Sequence, residues 1–264
     1  ILGFGEYGFP ESHAASFALL SYASAYLKCH FAAHFYAALL NAQPMGFYSV
    51  ATLVYQAQRD GVTVLPVCVR RSGWDTELVA DQCSRDGWAM RVGLRTMKGF
   101  GAGQRVALGR AREAETLDEF ARQCRLDRGR LSALAEAGAL EAFGKTRREA
   151  IWRLRDPTHA RREPLFLADP AGSPEALRSS LPTHKKIALD QRQSRHSTRG
   201  HPVKELRNTL SKRGFISSLG LRDVADGKRV RCAGLVICRQ RPGTAKGVTF
   251  ITLEDEHGFV NGIL

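Results

Sequence analysis

Near the middle of the chain stands a glycine-rich run, Lys98-Gly99-Phe100-Gly101-Ala102-Gly103, with a helix predicted shortly before it and another starting near Gln104. Glycines on both sides of Phe100 permit a tight hairpin between these helices, and Phe100 can fill the gap. The second helix would then point free amide groups outward, with a lysine and an arginine adding positive charge. The run predicts a phosphate-binding hairpin of the helix-hairpin-helix type, with a plain glycine-rich turn as the alternative. Its candidate residues are Lys98, Gly99, Gly101, Gly103 and Arg105.

The chain is strongly basic, with 39 Lys and Arg against 26 Asp and Glu and a formal net charge of +13. The excess is uneven: residues 151–230 carry 17 basic and 8 acidic side chains, whereas residues 1–60 carry 2 and 3. This balance favours a polyanionic partner. On charge alone, a basic soluble protein without a nucleic-acid role is the alternative. We therefore expect the first part to serve burial and the later part to contact a polyanion.

A second, weaker hairpin is indicated at Ala137-Gly138-Ala139-Leu140. Three basic residues, Lys145, Arg147 and Arg148, follow it and could contact a phosphate backbone. A helical corner with a solvated basic face explains the same pattern equally well. Both interpretations therefore stay open from the sequence.

The last hundred residues change character twice. Residues 156–202 contain several prolines and little periodicity, so we expect a partly disordered linker. Strand patterns follow at Val230 to Val236 and Gly247 to Leu253. Strands around a basic turn suit an OB-type barrel, whose basic and aromatic face holds single-stranded nucleic acid. The candidate residues on this face are Arg239, Arg241 and Lys246.

No metal site is predicted. The six cysteines form no CxxC pair and are typical of reduced cytosolic thiols. His30 and His34 share a helical spacing, but the glutamate of a metalloprotease helix is missing after His30, so a structural role is favoured. The acidic run Glu254 to Glu256 indicates a strand end, since successive strand residues alternate faces. The first ten residues lack the pattern of a signal peptide, and no apolar run approaches the roughly 18 residues of a membrane helix.

Several longer motifs resemble the bacterial C-family DNA polymerases, the family of the replicative alpha subunit. Residues 6–18 and 26–28 are similar to the end of that family's fingers region, and Lys98 to Gly101 falls where the family has its helix-hairpin-helix. The error-prone branch is indicated by Gln43-Pro44-Met45-Gly46-Phe47-Tyr48-Ser49, Ser72-Gly73-Trp74-Asp75 and Arg239-Gln240-Arg241-Pro242-Gly243-Thr244-Ala245-Lys246-Gly247.

The resemblance implies an α+β multidomain fold. Residues 1–80 would form the end of the fingers region, 88–155 the helix-hairpin-helix region, 156–202 the linker and 203–264 the start of a truncated OB-type barrel. Three departures stand out. Ala32 replaces the usual Pro, so the first two helices could be less sharply separated; His34 replaces Glu; and Ser194 to Thr198 replaces a small apolar stretch, which could remove a packing role.

For function, the resemblance implies the C-terminal fragment of an error-prone DNA polymerase acting in translesion synthesis and located in the cytoplasm. The fragment would bind duplex primer-template without sequence preference, and its OB face would hold single-stranded template. Ser12, His13 and Lys28 could contact template or nucleotide.

By the same resemblance, the sliding clamp and error-prone accessory proteins would be partners of the parent enzyme. Its Mg²⁺ would bind palm aspartates; no residue here matches them, so none is assigned a catalytic role and no cofactor is expected in the fragment. A free-standing DNA-binding protein, or an inert remnant of a broken polymerase gene, is the alternative.

Overall fold

The computed structural model describes residues 11–46, 48–155, 179–243 and 247–264, and their contacts form two units. The first unit is the described part of Ile1–Leu65 together with Ser72–Gly93. The second is Pro66–Arg71 and the described part of Leu94–Leu264. In the part that is described, no helix is both long and apolar enough to cross a membrane. All six cysteines are free thiols.

The first unit combines three helices with a small sheet. The helices are α1 (Glu11–His30), α2 (Ala32–Asn41) and α3 (Val50–Arg59). Ser49 begins α3, as its hydroxyl accepts a hydrogen bond from the Thr52 amide at 3.1 Å, and Gly61 follows its end with φ +85°. The strands β1 (Val64–Leu65), β2 (Glu77–Ala80) and β3 (Trp88–Arg91) lie in the order β1-β3-β2, with β1 parallel and β2 antiparallel to β3.

Two of the departures from the family pattern, Ala32 and His34, lie in this unit. Phe31 separates α1 from α2 with φ −137° and ψ 51°, so alanine at position 32 does not merge the helices. His34 packs in an exposed aromatic group, with its ring 5.9 Å from that of Trp88. The core of this unit is built on α2 and α3, because α1 has no buried residue and exposes Phe17, Leu20 and several other large apolar side chains.

The second unit begins with the glycine-rich run and five helices. A 3₁₀ turn at Leu94–Thr96 precedes α4 (Ala102–Arg110), α5 (Leu117–Cys124), α6 (Arg128–Glu136) and α7 (Arg147–Arg155); α8 is Thr183–Ser194. Thr116 caps the start of α5, since its hydroxyl accepts from the Glu119 amide at 3.2 Å. Buried Leu108, Phe120 and Leu134 form part of the core of the second unit.

The end of the second unit is mainly β structure. A 3₁₀ helix at Pro202–Leu206 leads into α9 (Arg207–Lys212), and β4 (Phe215–Ile216) pairs in parallel with β5 (Arg231–Cys232). The strands β6 (Leu235–Gln240), β7 (Phe250–Glu254) and β8 (Phe259–Ile263) form an antiparallel meander. The α+β class is therefore confirmed, but these sheets are not closed into a barrel.

Two helical elements of the second unit differ from the sequence prediction. The short helix predicted before the glycine-rich run, over Gly93 to Met97, is a 3₁₀ turn at Leu94–Thr96. Within the segment expected to be a linker, residues 156–178 lie outside the described residues, but the part that follows contains the twelve-residue helix α8. Ile187 and Asp190 on α8 are buried, so tertiary packing supplies an order that the sequence pattern did not show. The functional divisions at 1–80, 88–155 and 203–264 stay predictions.

Candidate nucleic-acid interface

The first hairpin, Lys98 to Gly103, is an open turn on the surface. Gly99 has φ +78°, a left-handed conformation that glycine adopts without strain. The amide of Phe100 donates to the carbonyl of Met97 at 3.2 Å, which closes the turn. The amide of Lys98 donates to the carbonyl of Gln193 on α8 at 2.8 Å. The hairpin is therefore held by its backbone, and the side chain of Lys98 stays exposed.

Helix α4 starts directly after the hairpin. The side chain of Gln104 accepts from the amide of Gly101 at 2.9 Å, and the first backbone bond of the helix runs from Arg105 to the carbonyl of Gly101 at 3.0 Å. Ala102 and Gly103 are exposed, and a Cβ at Gly103 would meet nothing within 4 Å. Amides of a first helical turn have no partner within their helix, so these face solvent. Together with exposed Arg105, they form a surface suited to a phosphate oxygen.

The second hairpin has a different geometry. Gly138 has φ +77°, but Ala137, Ala139 and Leu140 are buried, and the carbonyl of Ala139 accepts from the amide of Val69 at 3.0 Å. The guanidinium of Arg147 lies so close to Gly138 that a Cβ there would be 2.5 Å from Nε. This hairpin is therefore filled by an arginine of the same chain.

Arg147 has a structural role in place of the predicted DNA contact. Its side chain is only 2% exposed, and Nη1 donates to Asp190 Oδ1 at 2.6 Å and to the carbonyls of Glu136 and Lys186 at 3.1 and 3.2 Å. Nε donates to Glu141 Oε1 at 3.0 Å. A guanidinium with these partners is not presented to a ligand, because Asp190 on α8 neutralises its charge in the interior.

The other two basic residues of this region remain partly accessible. Lys145 is half-buried, and Arg148 donates to the hydroxyl of Ser179 at 3.1 Å. Between them Thr146 begins α7, where its amide donates to Glu149 and its hydroxyl accepts from the Glu149 amide. Lys145 and Arg148 thus keep the position at a helix start from which a DNA contact was predicted, and that contact stays a prediction.

The three residues predicted for the fingers contact all lie on α1. Ser12 and His13 are exposed in its first turn, whereas Lys28 lies about 24 Å further along the axis. Lys28 Nζ is 3.2 Å from Asp60 Oδ2. Burial opposes ionisation of Asp60, but hydrogen bonds from Tyr36 and Lys28 hold the pKa of its carboxyl below the ordinary value. The structure therefore does not bring these three residues together.

The predicted OB-face residues are also separated. Arg239 on β6 pairs with Ile251, whereas Phe250 pairs with Gln240, so Arg239 and Phe250 point to opposite faces of the sheet. Arg241 is exposed just beyond β6, and Lys246 lies outside the described residues. Arg231 lies on β5, in the two-stranded sheet with β4. A combined basic and aromatic face on this meander is not formed by Arg239 and Phe250.

Comparison with known proteins agrees with the hairpin geometry. The family described as a helix-hairpin-helix motif matches residues 61–150. The whole chain aligns with proteins named error-prone DNA polymerase, at 47% identity in Burkholderia pseudomallei, 43% in Brucella abortus and 44% in Aromatoleum aromaticum. This chain is related in sequence to a segment of the error-prone DNA polymerases. It spans 25% of the length of each of these three relatives.

The acidic run of this polymerase-related chain is used for structure. Arg207 on α9 donates from Nη2 to Asp255 Oδ2 at 3.1 Å and to Glu256 Oε2 at 3.0 Å. Asp255 also accepts from the amide and the hydroxyl of Ser218. Burial opposes ionisation of Asp255, but the bonds from Ser218 hold its pKa below the ordinary value. No group of metal-ligating side chains is found among the residues that the structure describes.

Sequence reasoning missed the buried polar network around α8. The hydroxyl of Ser197 donates to Asp190 Oδ2 at 2.7 Å, and His196 Nδ1 lies 2.7 Å from the carbonyl of Ser194. Burial lowers the pKa of His196, against smaller opposing effects of Ser194 and Asp190. Ser194 to Thr198 has therefore not lost its packing role. Its replacement of an apolar stretch by polar residues was the available signal, and it indicates a hydrogen-bonded interior.

Proposed function

We propose that this chain is a DNA-binding segment of an error-prone DNA polymerase that acts in translesion synthesis. It would hold duplex primer-template through the phosphate backbone, without sequence preference. The observation that carries the proposal is the open first hairpin, where the exposed amides of Ala102 and Gly103 lie between the exposed cations Lys98 and Arg105. Backbone amides and flexible cations contact phosphates but do not read base edges, so such a site gives affinity and not specificity.

The other predicted contacts belong to the same proposal. Lys145 and Arg148 would extend the duplex contact. Ser12 and His13 would face template or nucleotide from the exposed surface of α1, completed by further parts of a polymerase. Arg241, with a fuller OB-type barrel around β6–β8, would hold single-stranded template. Sliding clamp and error-prone accessory proteins are the proposed partners of the whole enzyme, and the bacterial cytoplasm its location.

Nucleotide transfer would be carried out by another part of the polymerase, with Mg²⁺ held by carboxylates there. The acidic run of this chain does not fit that role, because Arg207 and Ser218 occupy Asp255 and Glu256. The purified chain should therefore bind primer-template but fail to extend it with magnesium and four nucleotides. Extension that is lost on replacing Asp or Glu residues of this chain would contradict the assignment.

A salt titration tests the proposed function. The chain should bind two duplexes of unrelated sequence with similar affinity, and log affinity should fall linearly with log salt. Lys98→Ala should lower the magnitude of the slope by about 1 on both duplexes, since one phosphate contact is lost. Lys212→Ala, an exposed lysine on α9, serves as the matched control. A clear preference for one duplex, or equal slopes for Lys98→Ala and wild type, would count against the proposal.

A further inference from the structure

A cleft lies beside the first hairpin in the second unit. One wall is Lys98 and Gly99 of the hairpin. The opposite walls come from the start of α6, with Asp127 and Arg130, and from the end of α8, with Arg192 and Gln193. The cleft therefore joins the hairpin to α6 and α8, neither of which holds a residue that the sequence analysis named as a candidate DNA contact.

The geometry of this cleft is fixed by hydrogen bonds at its base. The carbonyl of Gln193 accepts from the Lys98 amide at 2.8 Å, and the side-chain amide of Gln193 donates to Glu136 Oε2 at 2.6 Å. These bonds connect the hairpin, α8 and α6 at one residue. Arg192, the neighbour of Gln193, lines the same cleft as Lys98.

The charge of the cleft is positive. Asp127 begins α6, where its carboxylate accepts from the amide of Arg130 at 3.0 Å and also pairs with the Arg130 guanidinium. The hydrogen bond from the backbone amide of Arg130 is the main cause that lowers the pKa of Asp127. This carboxylate is therefore ionised and neutralises one of the cleft's three cations, Lys98, Arg130 and Arg192. Lys98 and Arg192 supply the remaining positive charge.

Arg192 is the cation best placed for an external ligand. Its side chain is 70% exposed, and its ion pair with Glu136 is 3.9 Å long, while Glu136 already accepts the shorter bond from Gln193. A pair of this length whose cation is exposed contributes little to stability. A guanidinium with free donors can bind a phosphate through two parallel hydrogen bonds.

We propose that this cleft binds the DNA phosphate next to the one at the hairpin amides, with Arg192 as its main ligand and Arg130 at its edge. The inference rests on the proposed function and adds α8 to the interface. The ligand is a phosphodiester of the bound strand, because the cleft is continuous with Lys98 and Gly99 of the hairpin. A free phosphate group has the same chemistry, so the experiment must separate the two sources.

The test is a salt titration of duplex binding by the full 264-residue chain on two unrelated sequences. Arg192→Gln should reduce the magnitude of the slope of log affinity against log salt by about 1. The double variant with Lys98→Ala should reduce it by about 2, because two phosphates are involved. Arg192→Lys keeps the charge and should restore most of the slope. Arg222→Gln, an exposed arginine of the β-rich region, is the matched control and should behave as wild type.

The outcomes separate this inference from the proposed function. If Lys98→Ala lowers the slope and Arg192→Gln does not, the hairpin binds DNA and the cleft proposal is overturned. If the wild-type chain binds no duplex, both proposals fail. Thermal melting with millimolar inorganic phosphate completes the test. If phosphate raises the melting temperature of the wild type but not of Arg192→Gln, and DNA binding is the same for both, the cleft is a free-anion site and the phosphodiester assignment is overturned.

Discussion

The two glycine hairpins of the second unit look alike in sequence and differ in structure. Both place a glycine in the left-handed conformation, at Gly99 and Gly138, and both have basic residues nearby. At the first hairpin the cation Lys98 is exposed; at the second the cation Arg147 fills the turn and binds Asp190. A basic residue beside a glycine turn is therefore accessible to a ligand at the first hairpin and is taken up by an acidic partner at the second.

The largest effect is expected at the second hairpin. Arg147→Ala removes one member of a buried ion pair and leaves Asp190, whose side chain is 8% exposed, without its main partner. Loss of one partner from such a pair costs about 3–5 kcal/mol of unfolding free energy. Chemical denaturation should show this loss, whereas Arg148→Ala, with one hydrogen bond at the surface, should change stability by about 0.5 kcal/mol or less. Equal losses for both variants would remove the contrast between the hairpins.

A smaller effect is expected from backbone strain at the first hairpin. Gly99→Ala places a Cβ on a residue with φ +78°, which costs about 1–2 kcal/mol. Gly101 provides the control, because its φ of −146° is open to alanine and a Cβ there would lie 3.7 Å from Gln104 Oε1. The melting temperature of Gly99→Ala should therefore be lower than that of Gly101→Ala. The reverse order would show that the turn is not held in this conformation.

The free energy of unfolding should also depend on pH through the buried polar network around α8. The folded pKa of His196 is lowered by burial, so the unfolded chain takes up its proton first, near pH 6.5 at about the ordinary value. The stabilisation is full above that pH and is lost as pH falls toward the lowered folded pKa, by at most about 1.4 kcal/mol per pH unit.

His196→Asn should flatten the decline in unfolding free energy below about pH 6.5. His184→Asn, on the exposed surface of α8, is the matched control and should keep the wild-type profile. If both variants follow the wild-type curve, protonation of His196 is not linked to folding.

The smallest change in stability is expected on α4, where it should have the opposite sign to the change in DNA binding. Gly103→Ala adds a methyl group in open space, so the free energy of unfolding should rise by about 0.5–1 kcal/mol. The same methyl would obstruct a phosphate that approaches the exposed amide, and the affinity for duplex should fall. Gly109→Ala lies on the same helix, also in open space, and should stabilise without weakening binding. Unchanged affinity for both variants would place the phosphate elsewhere.

Much of the first hairpin could be predicted from sequence, because glycine at position 99 and cations at 98 and 105 act through local chemistry. The helical cap at Thr116 and the start of α3 at Ser49 were predictable for the same reason. The role of Arg147 was not, since Asp190 lies 43 residues further along the chain. Helix α8 was missed because its order comes from buried contacts of Ile187 and Asp190 and not from a clear apolar period.

The contrast between the hairpins is tested most directly by amide resonances of the isotope-labelled chain during titration with a short duplex. The amides of Gly99, Ala102 and Gly103 should shift on binding, and those of Gly138 and Ala139 should stay in place. Shifts of equal size at both hairpins, or shifts at the second hairpin alone, would contradict the account.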